Sequence, residues 1–232
     1  TRTQDFGYDN LDRLISSTTP DENFQYDLVG NRINEGQVHN AVNQLREDQA
    51  FTYQYNLNGD QIKKTNKQTN ESIEFIFDNE DRIVGGLIKN GAGQLTKTVA
   101  FKFDGLGRRI EKYVSDLVEP TKSYVKKNIF DGNQIIAEID SSTKQSGAYL
   151  NGPGLVDPIL SFQERDGVDG FNVDTEVFAY TKDALGSVKD VTSLSGILKQ
   201  RARHTSYGIT KLEKDDANGG DHEFIPQIHG YA

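Results

Sequence analysis

Asp166, Asp169, Asn172 and Asp174 place four oxygen-bearing side chains within nine residues, interleaved with Gly167 and Gly170. Calcium takes six to eight oxygen ligands, and glycines let a loop fold back to deliver them, so this stretch is the chain's best metal candidate. Its acids do not fall at EF-hand offsets and no glutamate closes the loop. A solvent-exposed insertion is therefore the weightier reading, and calcium is the one cofactor kept in view. Asp215 to His222 is similar in composition and reads as a surface loop. Phe103-Asp104-Gly105-Leu106-Gly107-Arg108-Arg109-Ile110 has the glycines of a phosphate-cradling loop. It lacks the Lys-Ser/Thr pair and opens no evident helix, and a phosphate loop needs both. His39, His204, His222 and His229 show no metal-ligand spacing, and no nucleophile-elbow motif accompanies the many Ser and Asp residues. The acids sit mostly in turns, so no glycosidase-like pair can be nominated. The expectation is a protein that is not an enzyme.

Composition narrows the partners. The 232 residues carry 35 acids against 26 bases, a formal net charge of −9, where a phosphate-binding surface shows a basic excess. Nucleic acid is excluded on that ground, and no apolar run reaches the roughly 18 residues of a membrane helix. Cysteine is absent, which removes disulfides, thiolate metal sites and a cysteine nucleophile. The chain starts at Thr1 and contains no Met, so it is expected to be a processed product or an excised piece. Asn70-Glu71-Ser72 has the pattern of a glycosylation sequon.

The strongest signal is internal repetition. Tyr8-Asp9-Asn10-Leu11-Asp12-Arg13-Leu14 recurs from Tyr26, Tyr55, Phe77 and Phe103, with a shorter copy from Phe130 and a degenerate one from His39. The copies are unevenly spaced, and each follows a run of alternating polarity such as Phe51-Thr52-Tyr53-Gln54-Tyr55 or Ile73-Glu74-Phe75-Ile76-Phe77. Aromatics two residues apart share a strand face, so strand, turn and strand make a β-hairpin. The Asp or Asn after the aromatic can accept from amides two or three residues on, and the Gly, Asn or Asp near the loop's end tolerates positive φ. The next Arg or Gln can bond to oxygens of neighbouring turns. Asp27, Gly30, Gly59, Asp78, Asp104, Gly107, Asp131, Asp183 and Gly186 are thus expected to be structural turn residues. The aromatics suit an apolar sheet face better than a sugar platform.

Tyr-Asp-x-x-Gly-x-Arg-Leu/Ile in irregular series resembles the YD repeats of RHS proteins, shared with Tc toxin C components and teneurins. Tyr149-Leu150-Asn151-Gly152-Pro153-Gly154, then Asp157-Pro158-Ile159-Leu160, is similar to the approach to the RHS-associated core. Tyr180 to Val188, Thr192-x-x-x-Gly196 and Tyr207-Gly208 resemble the core itself. The resemblance covers about residues 5 to 231. It implies an all-β chain of irregular hairpins in a curved, spiralling antiparallel sheet, a shell or tube segment. In the toxins such a shell encloses a toxic domain; in teneurin-like proteins it is an adhesion module. The family's core continues beyond the Ile228-His229-Gly230-Tyr231 region, and this chain carries no cargo or self-cleavage motif.

These readings divide the chain into a YD-repeat array over 1–140 and a core-like region over 141–232, continuous with the same sheet. The expected function is a non-catalytic shell or scaffold segment, secreted or at the cell surface, that encloses a cargo or self-assembles into a tube or filament. Expected partners are other copies of the chain, adjoining YD-repeat segments, an enclosed toxin domain, or surface glycans. The alternative is an extracellular adhesion or carbohydrate-binding module.

Overall fold

A computed structural model describes residues 5–18, 21–141, 145–152, 158–166, 173–183, 186–206 and 210–214. The described chain is antiparallel β throughout, apart from one 3-10 turn at Pro120–Lys122. It divides into two compact units. The first comprises Thr1–Lys102 and Lys112–Tyr124, the second Phe103–Glu111 and Val125–Ala232. The boundary expected at residue 140 does not coincide with these divisions.

In the first unit, β1 (Phe6–Tyr8), β2 (Leu14–Thr18) and β3 (Asp21–Asn23) form a small sheet. A second sheet begins with β4 (Val38–His39), β5 (Leu45–Glu47), β6 (Phe51–Tyr55) and β7 (Gln61–Asn66). It continues through β8 (Ser72–Phe77), β9 (Ile83–Lys89), β10 (Leu95–Phe103) and β11 (Arg109–Asp116), of which Phe103 and residues 109–111 count with the second unit. Spatial order follows chain order, so every strand pairs with its sequence neighbour. The second unit repeats this plan with β12 (Tyr124–Asp131), β13 (Gln134–Asp140), β14 (Gln145–Asn151) and β15 (Pro158–Asp166). Next come β16 (Val173–Lys182), β17 (Val188–Ser193), β18 (Leu198–His204) and β19 (Thr210–Lys214). The expected hairpin array is present.

The separate first sheet departs from hairpins laid side by side in one sheet. The Tyr26 copy folds its turn, but only an isolated bridge, Tyr26 to Arg32, closes it. Beyond the bridge, Glu35 and Gly36 take φ of 54° and 71°, which ends any extended stem.

Period-two alternation sorts the strands' side chains into faces. Opposed pairs Tyr53–Lys64, Lys64–Ile73 and Ile73–Ile88 put aromatic and aliphatic groups on one face of the first unit's large sheet. Lys64 Nζ lies there 3.8 Å from the Phe51 ring centroid. On the other face Glu74 accepts from Lys63 and Lys89 at 3.1 and 2.8 Å. A single layer encloses little: among the described residues only Phe24, Phe178, Val191 and Ala202 are buried hydrophobics. Three of these four lie on β16 to β18. There Tyr180 Oη donates to buried Ser161 Oγ at 2.9 Å. Burial pushes the Tyr180 hydroxyl up to about 12, softened by that bond, and drives the Tyr149 hydroxyl upward too.

Candidate functional site

The repeated turns carry most of the residues singled out in the sequence, and they share one geometry. Take the Asp or Asn that opens the turn as the first residue. Its backbone N–H donates to the carbonyl of the fifth, and the fourth residue's N–H donates to its carbonyl. For Asp104 these are the bonds to Arg108 and from Gly107, both 3.0 Å. Asp9, Asp27, Asn40, Asn56, Asp78, Asn90, Asp183 and Ser193 open turns with the same pair of bonds, at 2.9–3.2 Å. The fourth residue always has positive φ: Asp12, Gly30, Asn43, Gly59, Asp81, Gly93, Gly107, Gly186 and Gly196. That sterically disfavoured region explains why only Gly, Asn and Asp occupy the position.

The opening side chain is consumed by the turn. Asp104 Oδ1 accepts from the N–H of Leu106 at 2.9 Å and of Arg108 at 3.0 Å. The second amide lies four residues on, where the sequence suggested two or three. Spanning the whole loop lets one oxygen satisfy an amide at its middle and one at its end. Asp104 Oδ2 then takes Arg108 Nε at 2.7 Å and Nη2 at 2.7 Å. The Arg108 amide holds Asp104 below the usual carboxylate range, against desolvation and with help from the guanidinium. Asp9 is depressed by the corresponding Arg13 amide. In Asp27 and Asp78 desolvation is the largest single influence and pushes upward. Bonds from Asn31 and Arg82 outweigh it, so both carboxyls are also depressed.

In seven of these turns the side chains of the first and fifth residues are chemically matched, whereas the Ser193 turn has the apolar Ile197 in fifth place. An opening Asp meets a donor: Arg13, Asn31, Arg82 or Arg108. An opening Asn meets an acceptor: Asn40 Nδ2 donates to Gln44 Oε1 at 2.8 Å, Asn56 to Asp60 Oδ2 at 2.7 Å, and Asn90 to Gln94 Oε1 at 3.0 Å. The logic is geometric. Oδ1 is committed to two backbone N–H groups, so the other atom must face the fifth residue. It is an acceptor in Asp and a donor in Asn.

Strand register completes the motif. The residue before the turn pairs with the sixth, as in Tyr8–Leu14, His39–Leu45, Tyr55–Gln61, Phe77–Ile83 and Lys182–Val188. In each case the register then slips, leaving one unpaired bulge residue that increases local twist.

Neighbouring turns touch through the fifth residue, as the sequence suggested. Arg13 Nη1 donates to the Asp27 carbonyl at 3.4 Å, and its guanidinium lies 4.7 Å from the Tyr26 ring centroid. Asn31 Nδ2 donates to Asn43 Oδ1 at 3.0 Å. In the second unit Arg108 stacks 4.8 Å from the Phe130 ring centroid and donates to the Gly132 carbonyl.

Two turns, from Asn90 and Ser193, were missed in the sequence because Lys89 and Thr192, not aromatics, precede them. Asn90-Gly91-Ala92-Gly93-Gln94 carried the signal in its first, fourth and fifth residues. Asp131 does not open a turn of this kind. It is the last residue of β12, paired with Gln134, so only Gly132 and Asn133 form the loop. Asp183 accepts from the Ser187 amide at 2.9 Å, and Ala184 and Leu185 lie outside the described residues. Asp169 and Asn172 also lie outside them, and for Asp166 and Asp174 only the strand backbone is described. Among the described residues no group of three or more His, Asp or Glu is placed to hold a metal ion. No described helix is long and apolar enough to cross a membrane.

No family model and no curated protein matches the chain. Among solved structures it is similar to a TcdB2–TccC3 complex, with 13% identity, a TM-score of 0.39 and 91% of this chain covered. A TcdB2–TccC3–Cdc42 structure matches with 12% identity, a TM-score of 0.38 and 91% of this chain covered. A Photorhabdus luminescens Tc holotoxin pore bearing a TccC3 variant matches with 13% identity, a TM-score of 0.30 and 91% coverage. In all three the chain spans 15% of the chain it matches.

Proposed function

We propose that this chain is a non-catalytic structural segment of a YD-repeat shell or surface scaffold, working outside the cell. It encloses or presents another polypeptide and joins copies of itself or adjoining hairpin segments. One observation carries the reading: the recurrent acids that look available for chemistry are spent inside their turns. Asp9, Asp78 and Asp104 each give one oxygen to two amides and the other to an arginine. A carboxylate so occupied is a fastener, and its repetition along the chain suits a scaffold. The thin layer of side chains in the sheet also suits a wall that encloses other material.

A second reading, an extracellular carbohydrate-binding module, draws support from Phe6 and Tyr8. They sit two residues apart on β1, 46% and 57% exposed, where aromatic faces could stack on a sugar ring. A glycan array separates the two. The scaffold reading expects no specific hit. A hit lost on Tyr8→Ala, with the far-ultraviolet spectrum unchanged, would replace it with the binding-module reading.

A further inference from the structure

Two asparagine–glycine pairs lie in turns of the common geometry, at different positions. Asn90-Gly91 opens its turn, whereas Asn58-Gly59 takes the third and fourth places. In such a pair an amide side chain is open to attack by its own backbone, because glycine has no Cβ to hinder the nitrogen. The two turns treat that attack in opposite ways. Asn90 Oδ1 accepts from the Ala92 amide at 3.1 Å and the Gln94 amide at 3.0 Å. Closing the ring to Ala92 curls the side chain back along the backbone that contains the Gly91 nitrogen. Gln94 Oε1 accepts from Asn90 Nδ2 at 3.0 Å and so keeps Oδ1, not Nδ2, towards the two amides. Gly91 is exposed, and its N–H donates to nothing among the described residues. A side chain cannot be added to shield it, since a Cβ there would run into the Thr69 carbonyl oxygen. At the other pair the Gly59 N–H is engaged by the Asn56 carbonyl at 3.2 Å. The Asn58 backbone donates to Asn56 Oδ1, and among the described residues its side chain accepts from no amide.

We propose that Asn90 is a self-modification site, at which the turn promotes deamidation of Asn90 to aspartate and isoaspartate through a cyclic imide. The Gly91 nitrogen gives its proton to hydroxide and bonds to Asn90 Cγ, so negative charge builds on Oδ1. Two backbone amides already donate to that oxygen, the arrangement that stabilises an oxyanion in acyl transfer. The Cγ–Nδ2 bond then breaks, and Nδ2 takes a proton from water and leaves as ammonia. Water opens the imide at either carbonyl, so that one amide and one water become one carboxylate and one ammonium ion. Asp104-Gly105 opens a turn of the same shape but is inert. Its ionised carboxylate, paired with Arg108, offers neither an electrophile nor a leaving group. The two products at residue 90 differ in consequence. Aspartate keeps the turn, because its second oxygen faces Gln94, which turns its NH2 group to donate. Isoaspartate adds a methylene to the main chain, which displaces the backbone bonds from Asn90 to Gln94 and from Gly93 to Asn90 and loosens the hairpin of β9 and β10.

Peptide mapping of the full chain after incubation at mildly alkaline pH tests the proposal, with Asn58 as the reference inside the same molecule. Mass spectrometry follows the gain in mass at each site, and fragmentation resolves isoaspartate from aspartate. The expected result is conversion at Asn90 roughly tenfold or more faster than at Asn58 in the native chain. Asp104 should yield no isoaspartate there. In denaturant both turns are gone and only the shared Asn-Gly dipeptide remains, so the Asn90 rate should drop to within about twofold of the Asn58 rate. An Asn90 rate no greater than that of Asn58 in the native chain would overturn the proposal. So would a native ratio that persists in denaturant, an Asn90 that converts more slowly folded than unfolded, or isoaspartate appearing at Asp104 as fast as at Asn90.

Discussion

The turn at Asp104 and the turn at Asn56 have one backbone and opposite side-chain polarity. In both, the opening Oδ1 accepts from the third and fifth amides, at 2.9 and 3.0 Å for Asp104 and 3.0 and 2.9 Å for Asn56. In the first, a carboxylate then meets the Arg108 guanidinium; in the second, an amide donates to the Asp60 carboxylate. Backbone geometry therefore demands only one acceptor oxygen. The remaining atom sets a local code of donor against acceptor, which the fifth residue must obey.

The shared backbone is the first thing to break. Gly107 has φ of 77° with open space around its Cα, so the obstacle to a side chain there is backbone strain alone. Gly107→Val should cost about 1–2 kcal/mol or more, lowering Tm by about 3–8 °C in thermal unfolding. Gly107→Asn should be milder, because Asn43 and Asp81 hold the equivalent position with φ of 62° and 57°.

Exchanging one partner of a matched pair should come next. Asp104→Asn keeps an oxygen for the amides but turns an NH2 group towards the Arg108 donors. The matched geometry gives this change a measurable fall in Tm. Asp104→Asn/Arg108→Gln recreates the Asn90–Gln94 pairing and should recover part of the loss, with the Phe130 stacking still missing. A double-mutant cycle with no coupling between residues 104 and 108 would remove the code.

Acid should separate the two turn types more gently. Asp9, Asp78 and Asp104 have depressed carboxyls in the folded chain. Each contributes stability that is full above the unfolded carboxylate value near 4 and is lost as pH falls through the lower folded value. Asp116, pulled down to about 2 by Lys97 with help from the Glu119 and Val118 amides, should respond last. Thermal unfolding from pH 6 to pH 2 should show Tm falling below about pH 4, and Asp116→Asn should flatten the lowest part of the curve. Asn56→Asp has the opposite sign: it sets a carboxylate against Asp60 and should lose stability as pH rises from 3 to 6.

The smallest effect is that of salt on the turn ion pairs. One molar NaCl should shift the Tm of Arg108→Gln less than that of the parent, by about 1 °C, because salt screens a part-buried pair such as Arg108–Asp104 only weakly.

Much of this was legible in the residues. Alternation in 51–55, 73–77 and 99–103 gave the strands, and Gly, Asn or Asp near each loop's end marked the positive-φ site. The aromatic signal misled in both directions. It passed over Asn90 and Ser193, whose turns need no ring before them, and grouped Asp131 with residues whose role it does not share. The pairing of opening and fifth residues was present in the sequence from Asp9–Arg13 to Asn90–Gln94. It could not be read without knowing that one oxygen is already taken by two amides. The failure of the Tyr26 copy to grow strands came from its flanks, where Glu35 and Gly36 turn the chain.

Because a turn such as Asp9–Arg13 or Asn90–Gln94 carries both halves of its own code within five residues, its side-chain match comes along when the stretch is copied. A hairpin inserted by duplication, or deleted by unequal recombination, brings or removes a complete pair and leaves its neighbours' pairs intact. The uneven spacing of the copies is what such a history can leave behind. Strand length and loop length can wander between fasteners, since selection need keep only two residue types in step at a fixed distance of four.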